Sequence, residues 1–159
     1  MPFNALGLLR LAPLINSTAS LTFAHDHDLF FRIFSHPDCK DKANTLIPPW
    51  MGVYMPRGLK RIIWFYLGTF ILALANILTV GPEDSTSWYW LGLVFTIGHV
   101  AIFGKQAVGL LNSMKDDGSK GSGTADMAAW VDMNVYRTLL VDIPGWLCYL
   151  TAALSFVKV

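Results

Sequence analysis

Residues 62–80 read IIWFYLGTFILALANILTV, an apolar run without a charged side chain. About 20 such residues cross the hydrocarbon core of a bilayer as a helix, and in lipid the backbone polar groups must be paired within the segment. Counted from residue 59, this run spans 59–80, and segments 3–24, 88–111 and 128–157 reach a similar length. Only 14% of the 159 residues are charged and 53% are hydrophobic, where a soluble domain carries about 25% charge. The expected fold is all-α: a single-domain, integral membrane four-helix bundle over 1–159, with a long first loop between helices one and two.

Segment 3–24 is the most polar of the four, with Arg10, Asn16, Ser17, Thr18 and Ser20. A cleaved signal peptide is the alternative reading, and the absence of a base ahead of the run speaks against it. Asn16-Ser17-Thr18 matches a glycosylation sequon, unreachable if it lies inside a membrane helix. Between the segments, residues 25–61 hold Arg32, Lys40, Lys42, Arg57, Lys60 and Arg61, whereas GPEDSTS (81–87) holds no base. The third loop, with DDGSKGSGTAD, is a flexible Gly/Ser linker flanked by Lys115 and containing Lys120. Basic loops stay in the cytoplasm, so loops one and three are expected there and both termini on the far side. In loop one, LFFRIF (29–34) suits the bilayer interface, with Arg32 snorkelling, and IPPWMGVYMPRG (47–58) reads as rigid and turn-rich. The net charge of +1 and the lack of a dense basic stripe exclude a nucleic-acid partner. Cys39 and Cys148 sit in unlike contexts and show no metal spacing. HDHD (25–28) would turn both imidazoles to one side if extended, but two histidines with loose carboxylates fall short of a zinc site, and a hydrated helix end is the plainer reading.

Polar groups inside the spans are costly and face the bundle interior. Asn16 and Ser20, Thr69 and Asn76, and His99 and Gln106 each share a helix face; seven residues return to within about 20° of the same direction. Ser, Thr and Asn at such positions commonly bond across to neighbouring helices. On helix four, Trp130, Asn134 and Arg137 align at i, i+4 and i+7, while Arg137 and Asp142, five apart, border one broad face without stacking. Pro144 has no N–H for the Leu140 carbonyl and kinks the helix. Arg137 keeps its proton and needs an acceptor: Asp142, Asn134 or a bound anion.

These features together resemble a known family, the DUF1772 or anthrone oxygenase-like membrane proteins of fungal polyketide pathways. The resemblance rests on small size with four apolar segments, on Trp50-x3-Tyr54-x3-Gly58, and on the string WVDMNVYRTLLVDIPGWL (130–147), with Trp130, Asn134, Arg137, Asp142, Pro144 and Trp146. It implies oxidation of an anthrone to an anthraquinone by dioxygen, without a metal, a flavin or any other cofactor, in the endoplasmic reticulum. A small aromatic polyketide would be the substrate, and the lipid bilayer the surrounding medium. An anthrone has an acidic CH₂ conjugated to its carbonyl, so such a site needs a base, an oxyanion partner and aromatic walls. His99, with an unperturbed pKa of about 6.5, suits the base. Arg137 and Asn134 suit the enolate oxygen. Gln106, Asp142, Trp130 and Trp146 are expected to bind and orient the substrate. An isomerase, cyclase or hydroxylase of a related polyketide, and a non-catalytic membrane adaptor, are the alternatives on the same scaffold. A homodimer would cover part of the lipid-facing surface.

Overall fold

In a computed structural model, which describes residues 5–80, 84–116 and 121–155, every regular element among them is helical. Helix α1 (Ala5–Phe34) is followed by α2 (Pro37–Val80), α3 (Asp84–Asp116), α4 (Gly123–Arg137), a π-helical turn (Thr138–Asp142) and α5 (Ile143–Leu154). The last three form one interrupted rod, so four rods pack as a bundle. By length and composition, α2 and α3 can each cross a membrane. The ends of the predicted spans at 3–4 and 156–157, and residues 81–83 and 117–120 of loops two and three, lie outside the described residues.

The long first loop is corrected to helix. α1 runs ten residues beyond the expected end at 24, α2 starts at Pro37, and only Ser35 and His36 separate them. Ser35 N–H closes the turn on Arg32 O at 3.1 Å, and Cys39 N–H opens α2 on His36 O at 2.9 Å. Proline is suited to a first helical position, but Pro48, Pro49 and Pro56 lie inside α2, where each removes a backbone bond. The burial pattern explains why the helix persists: Ala43, Ile47 and Met51 recur every four residues and are almost wholly enclosed. Apolar burial at helical spacing outweighs the turn signal of the prolines. LFFRIF likewise belongs to α1, with Phe31 buried and Phe30 outside. The linker reading of 116–126 is shortened too, since α4 begins at Gly123.

The interior has three layers. At the end where α1 meets α2, Phe31, Ile47, Met51, Met114, Met127 and Trp130 form an apolar core. At the opposite end Ala73, Tyr89, Leu93, Tyr149 and Ala152 form a second. There Gly92 and Gly145 let α3 and α5 approach: a Cβ on Gly92 would meet the Tyr149 ring at 2.6 Å, and one on Gly145 would meet Phe95 Cβ at 3.0 Å. Polar bonds tie α1 to α2: Asn16 of α1 donates to Phe65 O and Thr69 Oγ1 at 2.6 and 2.7 Å, and Asn76 of α2 to Leu9 O at 2.8 Å. The N-terminal turns of α2 and α4 meet at one end, where Thr124 N–H donates to Asn44 Oδ1 at 3.0 Å. Between the two apolar cores lies a layer of Tyr66, His99, Asn134, Arg137 and Asp142.

Candidate active site

The polar layer depends on the π-helical turn. Along a regular helix, residues five apart point well away from each other. Here Ile143 N–H donates to Thr138 O, an i→i+5 bond that adds a residue to the turn. The wider turn swings Asp142 round beneath Arg137, and their Nε–Oδ2 distance is 3.6 Å. The turn lies just ahead of Pro144, whose missing N–H and bulky ring disfavour a tight α-helical turn at that point. Proline therefore favours a locally underwound helix with more residues per turn, and the two charges that sequence spacing set apart become partners.

Asp142 collects the other side chains of the layer. His99 Nδ1–H donates to Asp142 Oδ1 at 2.7 Å, and the two side chains are 6% and 8% exposed. Tyr66 donates to the same oxygen at 3.2 Å, its ring lying 3.7 Å from the His99 imidazole between centroids. Arg137 donates to Asn134 Oδ1, and Asn134 Nδ2 donates to Ala24 O at 3.2 Å. Four rods thus converge on one carboxylate and one guanidinium. A buried ion pair of opposite charges is tolerated when hydrogen bonds complete it. Here the completion is partial: Arg137 Nε, Asp142 Oδ2 and Trp130 Nε1 are buried and make no hydrogen bond among the described residues.

Space exists where those groups meet. A cavity of about 170 Å³ lies between α2, α3 and α4. His99, Arg137, Trp130 and Tyr66 line it together with Leu59, Ile62, Phe103 and Ala107. The walls are apolar except for an imidazole, a guanidinium, an indole and a phenol, the composition of a small-molecule site. Because the carboxylate accepts from Nδ1–H, the lone pair of His99 sits on Nε2. An Asp–His pair of this kind prepares a general base. The charged members are Arg137 and Asp142, so the buried layer is close to neutral and an incoming anion would be drawn to the guanidinium.

Among known proteins the chain is 36% identical over 152 residues to the probable epoxidase scpX of Mollisia scopiformis, covering 93% of this chain and 95% of that one. It is 33% identical to the epoxidase pydX of an Acremonium species, over 94% of both chains, and 33% identical to the epoxidase gkaX of Penicillium citrinum, over 96% of both. The chain belongs to the family of these fungal epoxidases. Their names mark oxidative enzymes of fungal secondary metabolism. A more distant relative, at 24% identity, is an oxaleimides biosynthesis cluster protein of Penicillium oxalicum. No family model and no solved structure matches the chain.

Seen as a member of this epoxidase family, the chain brings together most of the residues expected at the site. His99, Arg137 and Trp130 line the cavity, Asn134 holds Arg137, and Asp142 holds His99. Two do not join them. Gln106 is exposed on α3, and Phe103 and Ala107 line the cavity from α3 at that level instead. Trp146 lies on the far flank of Asp142, where its Nε1 donates to Thr18 Oγ1 at 2.8 Å. The shared side expected of HDHD is also corrected: in a helix, residues two apart face nearly opposite ways, and His25 is exposed while His27 is buried. Among the described residues no three His, Cys, Asp or Glu side chains gather to hold a metal.

Sequence reasoning gave Tyr66 no role and did not foresee that His27 and Tyr54 meet. Tyr66 was hidden in the apolar run, although a phenol at that depth needs a partner. Tyr54 hydrogen bonds His27 Nε2, and Trp50 stacks on Tyr54 at 4.7 Å and 11°. A Cβ at Gly58 would stand 3.1 Å from the Tyr54 ring. The spacing Trp50-x3-Tyr54-x3-Gly58 is thus one face of a helix, with glycine leaving room for the phenol, and its four-residue period was the available signal.

Proposed function

We propose that the chain is an integral-membrane oxygenase of fungal polyketide metabolism that uses dioxygen on an enolisable, unsaturated carbonyl compound. The observation that carries this reading is that His99 and Arg137 line one cavity while Asp142 pairs with both. Lipid is the solvent that suits the exterior: Trp64, Leu78, Ile102 and Leu140 are more than 60% exposed, on a bundle that contains two helices able to span a bilayer. The endoplasmic reticulum follows from the likeness to anthrone oxygenases.

In this scheme His99 Nε2 removes a proton from the carbon next to the substrate carbonyl. The electron pair delocalises onto that oxygen, held by Arg137, whose guanidinium Asn134 keeps in place. Trp130 Nε1 is a further donor in reach of the cavity. Such donors stabilise charge that develops in a water-poor site. Dioxygen accepts the electrons of the carbanion, a carbon–oxygen bond forms, and the protonated His99 returns its proton to give a hydroperoxide. Two outcomes balance without another reductant. Loss of water breaks the O–O bond and turns CH₂ into C=O, as in an anthrone becoming a quinone. Transfer of the distal oxygen to a neighbouring double bond leaves an alcohol and an epoxide, and the names of the relatives favour this second outcome.

Purified protein supplied with ¹⁸O₂ and a candidate substrate separates the two. Epoxide formation retains both labelled atoms in the product, whereas quinone formation retains one and releases the other as water. Substitutions His99→Ala and Arg137→Ala are expected to stop oxygen uptake. Full activity in both would reject the assignment.

A further inference from the structure

A second, outward-open space adjoins the cavity. It is a groove of about 430 Å³ between α2 and α3, walled by Leu67, Phe70 and Ile97 among other apolar side chains. The groove and the cavity share Ile63, Tyr66 and Val100, so they adjoin along the α2–α3 seam as a trough in two parts, with Tyr66 lining both. On α2 the trough runs from Leu59 to Phe70, roughly 16 Å at the rise of a helix.

The direction of that trough is informative. Leu59 stands beside the exposed bases Arg57, Lys60 and Arg61, where the apolar run of α2 begins. Phe70 is nine residues beyond Arg61, or about 14 Å, near the middle of a bilayer core about 30 Å thick. The trough therefore starts at a basic membrane boundary, passes His99 and Arg137, and opens toward the hydrocarbon centre. Its polarity gradient matches that of a lipid.

Building on the oxygenase reading above, we propose that the substrate is an amphiphile loaded sideways from the bilayer. Its carbonyl-bearing end sits in the cavity at His99 and Arg137, and a long apolar tail lies in the α2–α3 groove. Groove residues such as Leu67 and Ile97 then select for tail length, and burial of the tail supplies the binding energy that positions the reacting carbon.

The test uses the full chain in phosphatidylcholine vesicles with a long-chain β,γ-unsaturated ketone, the substrate class of the oxygenase reading, carrying a diazirine at the tail end. After irradiation, mass spectrometry of peptides locates the adducts while oxygen uptake is recorded in parallel. Adducts concentrated on α2 and α3 residues of the seam are expected. Leu67→Trp and Ile97→Trp, at positions about half exposed in the native chain, should each cut seam labelling by about tenfold. Leu78→Trp, exposed elsewhere on α2, should leave it unchanged. Labelling spread evenly over all lipid-facing helices, or unaffected by the groove substitutions, overturns the proposal. Seam labelling without oxygen uptake supports the groove and rejects the reaction; uptake without seam labelling does the reverse.

Discussion

His99 and His27 are both buried imidazoles beside a tyrosine, and they stand in different company. His99 gives its Nδ1–H to a carboxylate and borders open space. His27 has its Nε2 engaged by the Tyr54 phenol and is closed in by the rings of Phe23, Phe31 and Trp130, at centroid distances of 4.0, 5.1 and 5.5 Å. One imidazole keeps a basic nitrogen and room for a reactant. The other spends its nitrogen on a structural bond inside an aromatic box. Trp130 divides them, touching His27 on one side and the cavity on the other. The residue type is thus a poor guide to role. The partner atom and the adjacent volume decide it.

The sharpest way to break this contrast is to remove each ring in turn. His99→Ala is expected to lower kcat/KM by about 10²–10⁴-fold, the usual contribution of a general base. His27→Phe should change it by no more than about threefold, roughly 0.7 kcal/mol. Equal losses in a steady-state assay would erase the distinction. Next in size, Asp142→Asn tests whether the carboxylate sets the tautomer of His99. It should cost about 10²-fold or more in kcat, with the fold retained, because an amide no longer dictates which ring nitrogen carries the proton. A normal kcat in that variant would detach Asp142 from the chemistry.

Smaller effects probe the aromatic box. Tyr54→Phe leaves His27 without its partner in a buried setting, which costs about 1–3 kcal/mol of stability. A thermal-unfolding scan in detergent should show the loss, while kcat stays near that of the native chain; a stability unchanged from native would refute the structural role. Last, Gln106→Ala should alter neither activity nor stability beyond about 0.5 kcal/mol, as expected of an exposed side chain. A clear loss of activity there would return Gln106 to the site.

The legibility of the chain followed the kind of signal each part carries. Apolar runs marked the cores of α2 and α3 correctly, since length and hydropathy are local properties. The string from Trp130 to Trp146 named four of the residues now found around the cavity and its ion pair. The first loop was misread because Pro48, Pro49 and Pro56 are strong local turn signals. Their cost is offset only by burial of Ile47 and Met51, which depends on the other helices.

From its order of residues alone, the chain determined a helical, strongly apolar bundle with a buried histidine, arginine and aspartate, since transfer of side chains from water is governed by their own chemistry. Tertiary structure alone decided which of these groups meet. A five-residue separation places Arg137 and Asp142 apart on a regular helix and together across a π-helical turn. The choice between the two backbones rests on Pro144 and on how α3 and α5 seat against each other, and a neighbouring helix is a long-range influence that no local window of residues contains.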